Sequence, residues 1–169
     1  MEKLVVLFAI LISISISAQA QQVRSSRLDS LIWKEINVYR SSLGGSPVTK
    51  FNNGALRKRS YQLTNLNAGL SEIDHTRGDS VFVGYNSECI YLFKKSGTSV
   101  SKKYNVNALT DEVLQEIAKI VVQAWIDSPN HNYIIASKFV GESTITTVME
   151  FGKDSFRVTA SYHALDKKY

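Results

Sequence analysis

The chain has 169 residues, 20 Lys and Arg against 15 Asp and Glu, and a formal net charge of +5. The basic residues fall in short groups (Arg57-Lys58-Arg59, Lys94-Lys95, Lys102-Lys103, Lys167-Lys168) interleaved with acids, the pattern of a solvated surface rather than a nucleic-acid interface. A single cysteine, Cys89, excludes an intramolecular disulfide, so packing must supply the stability.

The first twenty residues read as a signal peptide. Lys3 supplies a positive start, Leu4 to Ile12 is wholly apolar, and Ala18-Gln19-Ala20 has the small-x-small form of a cleavage site. The apolar run is too short for a transmembrane helix. The expected product is exported, secreted or periplasmic, cleaved near Ala20, a monomer with no transmembrane segment and no nucleic-acid partner. Residues 21–27 read as a loose polar leader, 28–165 as one domain, and 166–169 as a tail.

Leu28, Ile32, Ile36, Tyr39 and Leu43 recur at spacings of three and four, which places them on one stripe of a helix. Gly44-Gly45-Ser46-Pro47 ends it. On residue type alone, Asn37 and Arg40 are polar-face groups near that end, where an Arg suits the helix dipole. Asn52, Asn53 and Gly54 offer a cap for a second helix over about Ala55 to Leu66, with Leu56, Ser60, Leu63 and Leu66 or Asn67 inward.

A polar loop with Asp74-His75-Thr76 follows, then extended chain over Ser80 to Tyr85 and Ser87-Glu88-Cys89-Ile90. Lys94 to Asn107 reads as a long loop or a solvent-facing hairpin. Thr110 is the expected N-cap of a strongly amphipathic helix, with Asp111 and Glu112 in its first turn and Val113, Ile117, Ile120, Val121 and Ala124 behind them.

That helix runs into Trp125-Ile-Asp-Ser-Pro-Asn-His131. Pro129 is expected to stop it, placing His131 in a loop just beyond its end, ahead of a short helical turn over Tyr133 to Ile135. Phe139 to Gly141 and Thr144 to Met149 read as strand, Gly152-Lys153-Asp154 as a turn, and Phe156 to His163 as the return strand. There Phe156, Val158, Ala160 and Tyr162 alternate with Arg157, Thr159, Ser161 and His163. This alternation assigns His163 to the surface or a second layer, outside the site.

Trp-x-x-Ser-Pro-x-His over Trp125 to His131 resembles the signature of bacterial CAP (SCP-like) domains, the group of cysteine-rich secretory proteins, antigen 5 and pathogenesis-related proteins. Asn37-x-x-Arg40 before a Gly/Pro turn is similar to that family's first-helix pattern, and His75-Thr76 to its His-Thr pair. Ser87-Glu88-Cys89-Ile90 resembles its Gly-Glu-Asn-Ile element, with Ser for Gly and Cys for Asn. The single cysteine points to the bacterial branch.

The resemblance implies an α+β fold, a three-layer α-β-α sandwich with a mainly antiparallel sheet. It also implies a cleft where His75, Glu88 and His131 meet with Ser128, which stands where eukaryotic members carry a second acid. Asn37, Arg40, Trp125 and Pro129 are then structural members of the motifs. Two imidazoles with a carboxylate nearby suit zinc or another divalent cation, with His75 and His131 as ligands. The expected role is a binding or interaction module for such a metal or for an apolar, lipid-like ligand or cell-envelope component. The alternative is a metal-dependent hydrolase of peptide or envelope substrates, with catalytic residues unknown. Ser128 with His131 and Glu88 lacks the elbow and oxyanion loop of a serine hydrolase.

Overall fold

The computed structural model describes residues 20–50, 54–75, 86–97 and 99–166. The stretch before Ala20 read as a signal peptide, the expected cap at Asn52-Asn53, the expected extended segment Ser80 to Tyr85 and the last three residues of the expected tail lie outside the described residues.

Five strands and five helices are described. The strands are β1 (Gln21–Val23), β2 (Thr49–Lys50), β3 (Asn86–Ser96), β4 (Val140–Gly152) and β5 (Ser155–Asp166). The helices are α1 (Ser26–Ser42), α2 (Gly54–Asn67), α3 (Val100–Lys103), α4 (Asp111–Asp127) and α5 (Pro129–Ala136). The sheet has the order β1-β4-β5-β3, antiparallel throughout, with the two-residue β2 added in parallel to β4. β4 and β5 form the hairpin read at Gly152-Lys153-Asp154.

Alternation along β5 divides the sheet into two unlike faces. Phe156, Val158, Ala160, Tyr162 and Ala164 join Ile145, Met149, Cys89 and Phe93 in the main core. Against them lie Leu28, Ile32 and Ile36 of α1, Ile117, Val121 and Trp125 of α4, and Ile135 of α5. Each such aliphatic side chain, fully enclosed, contributes roughly 1.5–3 kcal/mol. The opposite face meets α2 largely through hydroxyls. The Ser60 side chain bonds those of Thr146 and Ser161, and Thr64 lies 2.6 Å from Ser161. Leu63, Ile90 and Val148 are the apolar residues enclosed on this side. The result is an α+β fold, a three-layer sandwich with α1, α4 and α5 on one face and α2 on the other.

Local signals explain the helix ends. Ser25 caps α1, its hydroxyl accepting from the Leu28 N–H at 3.1 Å, and Thr110 does the same for Val113 at the start of α4. After α1 the chain reverses at Gly44, whose φ of 72° suits a residue without a side chain.

Three expectations change. Residues 21–27 are not a loose leader: Gln21–Val23 pairs with Met149–Phe151 of β4, and Ser25 and Ser26 open α1. The backbone groups along β4 supply what the polar side chains do not advertise. Lys94 to Asn107 is not one loop, because β3 continues to Ser96 against β5 and α3 follows. Nor are Asn37 and Arg40 surface groups. Asn37 accepts from the Val48 N–H at 2.9 Å and donates to the Val48 carbonyl at 3.3 Å, and Arg40 is fully enclosed.

Candidate functional site

Glu88 sits near the start of β3, where the register sets it opposite His163 of β5. Its carboxylate is only 13% exposed and lies between two imidazoles. His75 Nδ1 is 2.6 Å from Oε1, and His163 Nε2 is 2.8 Å from Oε2. Burial alone would raise the pKa of Glu88. Hydrogen bonds from His163 and His75, with the Arg59 guanidinium 3.5 Å from Oε2, outweigh it and hold the carboxyl down at about 2. An ionised carboxylate only accepts, so each ring nitrogen facing it is the donor.

His75 is brought in by the segment that leaves α2. Asn67 anchors this segment, donating to the Asp74 carbonyl at 3.0 Å and accepting from the Asp74 N–H at 2.7 Å. Arg59 Nη2 then donates to the His75 carbonyl at 2.7 Å. With Nδ1 committed to Glu88, Nε2 is the nitrogen left for another partner, and the side chain is 46% exposed.

His131 comes from the opposite layer. It lies not in a loop but in the first turn of α5, since Pro129 ends α4 and also begins α5 at the position where proline fits best. Asn132 fixes this turn, donating to the Ile126 carbonyl at 2.9 Å and accepting from the Tyr39 hydroxyl at 2.8 Å. The Cys89 thiol donates to the His131 carbonyl at 3.9 Å, tying the turn to β3. The His75 and His131 ring centroids are 6.3 Å apart, tilted by 36°. Burial, and then the neighbouring His75, lowers the His131 proton affinity and favours a free lone pair.

The structure therefore brings His75, Glu88 and His131 together. Ser128 stands at the α4–α5 junction, where its backbone carbonyl accepts from Asn132 and its hydroxyl does not cap α5. Trp125 is fully enclosed, 6.1 Å from the Tyr162 ring. Cys89 is buried, and burial followed by the Glu88 charge pushes its thiol far up, away from nucleophilic use.

One residue of the cluster escapes the sequence reading. Read as surface or second-layer and outside the site, His163 is fully enclosed and bonded to Glu88. Its side of β5 carries Thr159 and Ser161 and looks solvated, but α2 covers it with polar side chains of its own.

Two imidazoles facing a common space suit a weakly held divalent cation that keeps most of its water. Glu88 behind His75 orients and enriches that ring, as carboxylates do behind metal-binding histidines. A catalytic zinc site uses three protein ligands, and among the described residues no group of three or more His, Cys, Asp or Glu is arranged to hold a metal.

No family model and no curated protein matches the chain. Among solved structures it is similar to an outer surface protein from Borrelia burgdorferi, at a TM-score of 0.57 and 12% identity, over 88% of this chain and 99% of that one. Among the described residues no helix is long and apolar enough to cross a membrane. At 12% identity the likeness is one of fold: this chain is built on the same α+β sandwich as that surface protein.

Proposed function

We propose that this chain is an exported CAP-type binding module that takes up a divalent cation between His75 and His131. The observation that carries the reading is the 6.3 Å separation of the two rings, with Glu88 fixed on Nδ1 of His75. The lowered proton affinity of His131 supports it, because a metal competes with protons for the same lone pair. Two protein ligands make the cation exchangeable, which suits binding better than the hydrolase alternative. Calorimetric titration of residues 21–169 with zinc tests the proposal. Micromolar or weaker binding of one cation, lost in both His75→Ala and His131→Ala, is expected; binding unchanged in both variants overturns it.

A second reading has its own observation. A shallow groove of about 540 Å³ runs between α1 and α4, lined by Val38, Tyr39, Ile120, Val122 and Ile126, with Glu35, Ser42, Lys119 and Gln123 among them. Its volume and its apolar residues suit an apolar chain with a polar head. Organic extraction of the protein purified from cells, followed by mass spectrometry, tests this. A stoichiometric lipid supports it, and an empty protein counts against it.

A further inference from the structure

His163 takes no direct part in the cleft between His75 and His131, yet it is the most enclosed member of the cluster, with no exposed surface. It spends its Nε2–H on Glu88 Oε2 at 2.8 Å, while Nδ1 is buried with no hydrogen-bond partner among the described residues. A leucine would fill much of this volume with no polar atom of its own, and an unpartnered buried nitrogen is unfavourable. What the imidazole adds is its single bond to Glu88.

That bond decides how the carboxylate points. Glu88 has two oxygens and three neighbours: His163 on Oε2, His75 on Oε1, and Arg59 3.5 Å from Oε2. With His163 holding Oε2 inward, Oε1 is left for His75. Without it, the carboxylate can turn toward the charged Arg59 guanidinium, which already lies beside Oε2. His75 would then lose the acceptor that fixes its Nδ1–H, and with it the free lone pair on Nε2. The cross-strand register of Glu88 and His163 fixes their backbones opposite one another, so the two side chains stay within reach.

We infer that His163 is the positioning residue of the site, acting through Glu88 to hold His75 as the Nδ1–H tautomer with Nε2 presented toward His131. This side chain never touches the ligand, and its role rests on the cation-binding reading for one of its two readouts only.

The test uses residues 21–169 with His163→Leu, which removes the donor, and His163→Gln, whose side-chain amide reaches about as far as Nε2. Where the leucine variant fails to fold, His163→Asn, with an amide too short for Glu88, takes its place. The first readout is the tautomer of His75 from long-range proton–nitrogen NMR at pH 8.5, without metal. Wild type and His163→Gln are expected to show Nδ1–H, and His163→Leu or His163→Asn a shift toward Nε2–H. The second is zinc affinity, expected to fall roughly 10- to 100-fold in the leucine or asparagine variant and to recover in glutamine. A His75 ring that keeps Nδ1–H in a folded variant lacking the donor overturns the inference, whatever the zinc result. Wild-type protein that shows the tautomer but binds no zinc overturns the cation reading and leaves the positioning role standing.

Discussion

Arg40 Nη1 donates to the carbonyls of Ile135 at 2.9 Å and Ser137 at 2.7 Å, joining the last turn of α1 to the end of α5. Its Nε reaches the Ser46 carbonyl at 2.9 Å, and Nη2 lies 3.4 Å from that of Val140. A fully enclosed guanidinium is thus held by four carbonyls, two of them at the C-terminus of α5, where the dipole favours a cation. Burial lowers its proton affinity, though not enough to discharge an arginine.

Replacing Arg40 by Met strands these carbonyls together, and the expected loss of stability is about 3 kcal/mol or more. Arg40→Lys recovers little, because one ammonium cannot reproduce the planar fork. Urea denaturation of the two variants checks this. Because α5 carries His131, a folded Arg40 variant is also expected to bind zinc less tightly.

Asp29 in the first turn of α1 accepts from the Thr147 hydroxyl at 2.7 Å. Burial nevertheless raises its pKa from 3.8 to about 6, with Thr147, Lys50 and Arg24 pulling the other way. The folded state therefore holds a proton that the unfolded chain releases, so this contribution is present below about pH 4 and lost as pH climbs through 6. Wild type is expected to lose stability relative to Asp29→Asn between pH 4 and pH 7. Equal pH profiles in urea melts would contradict it.

Glu88 carries the opposite sign. Its folded pKa of about 2 lies below its ordinary 4.5, so the stability it contributes is present above pH 4.5 and lost as pH falls toward 2. Acid titration followed by circular dichroism should show the midpoint of wild type moving when Glu88 is replaced by Gln, with less dependence on pH across that window.

The two helical layers should differ in local stability. The described buried side chains of α2 are Arg59, Ser60, Leu63, Thr64 and Asn67, whereas α4 encloses Leu114, Ile117, Ala118, Val121, Val122 and Trp125. Less apolar surface leaves water when α2 docks, so it is expected to open first. Hydrogen exchange should find α2 amides markedly less protected than those of α4; equal protection would contradict this.

The same contrast explains what could be read from residues alone. α4 announced itself by its period and its Thr110 cap, and β5 by strict alternation. Both signals arise where one face is apolar and the other is not. α2 and the sheet face beneath it meet largely polar to polar, so the inward stripe with Ser60, Leu63 and Asn67 was weaker than that of α4, and His163 was assigned to the surface or a second layer.

β1 was hidden for a different reason, since Gln-Gln-Val becomes a strand only through the backbone of β4. Pro129 was half legible: as a stop for α4 it was plain, but Pro129 after Ser128 is also a favoured first helical residue. That second meaning moves His131 from a loop onto α5. His75, Glu88 and His131 were singled out by motif, while their convergence depends on strand register and on Asn67, which spacing along the chain does not encode.

What matters most is whether His75 and His131, contributed by opposite layers of the sandwich, share one ligand. Imidazole NMR signals followed during titration with one equivalent of zinc answer this. The His75 and His131 rings are expected to shift together, saturate at a single equivalent, and leave His163 bonded to Glu88 as before. Independent responses of the two rings, or a zinc-dependent shift at His163 with none at His131, would contradict a shared site.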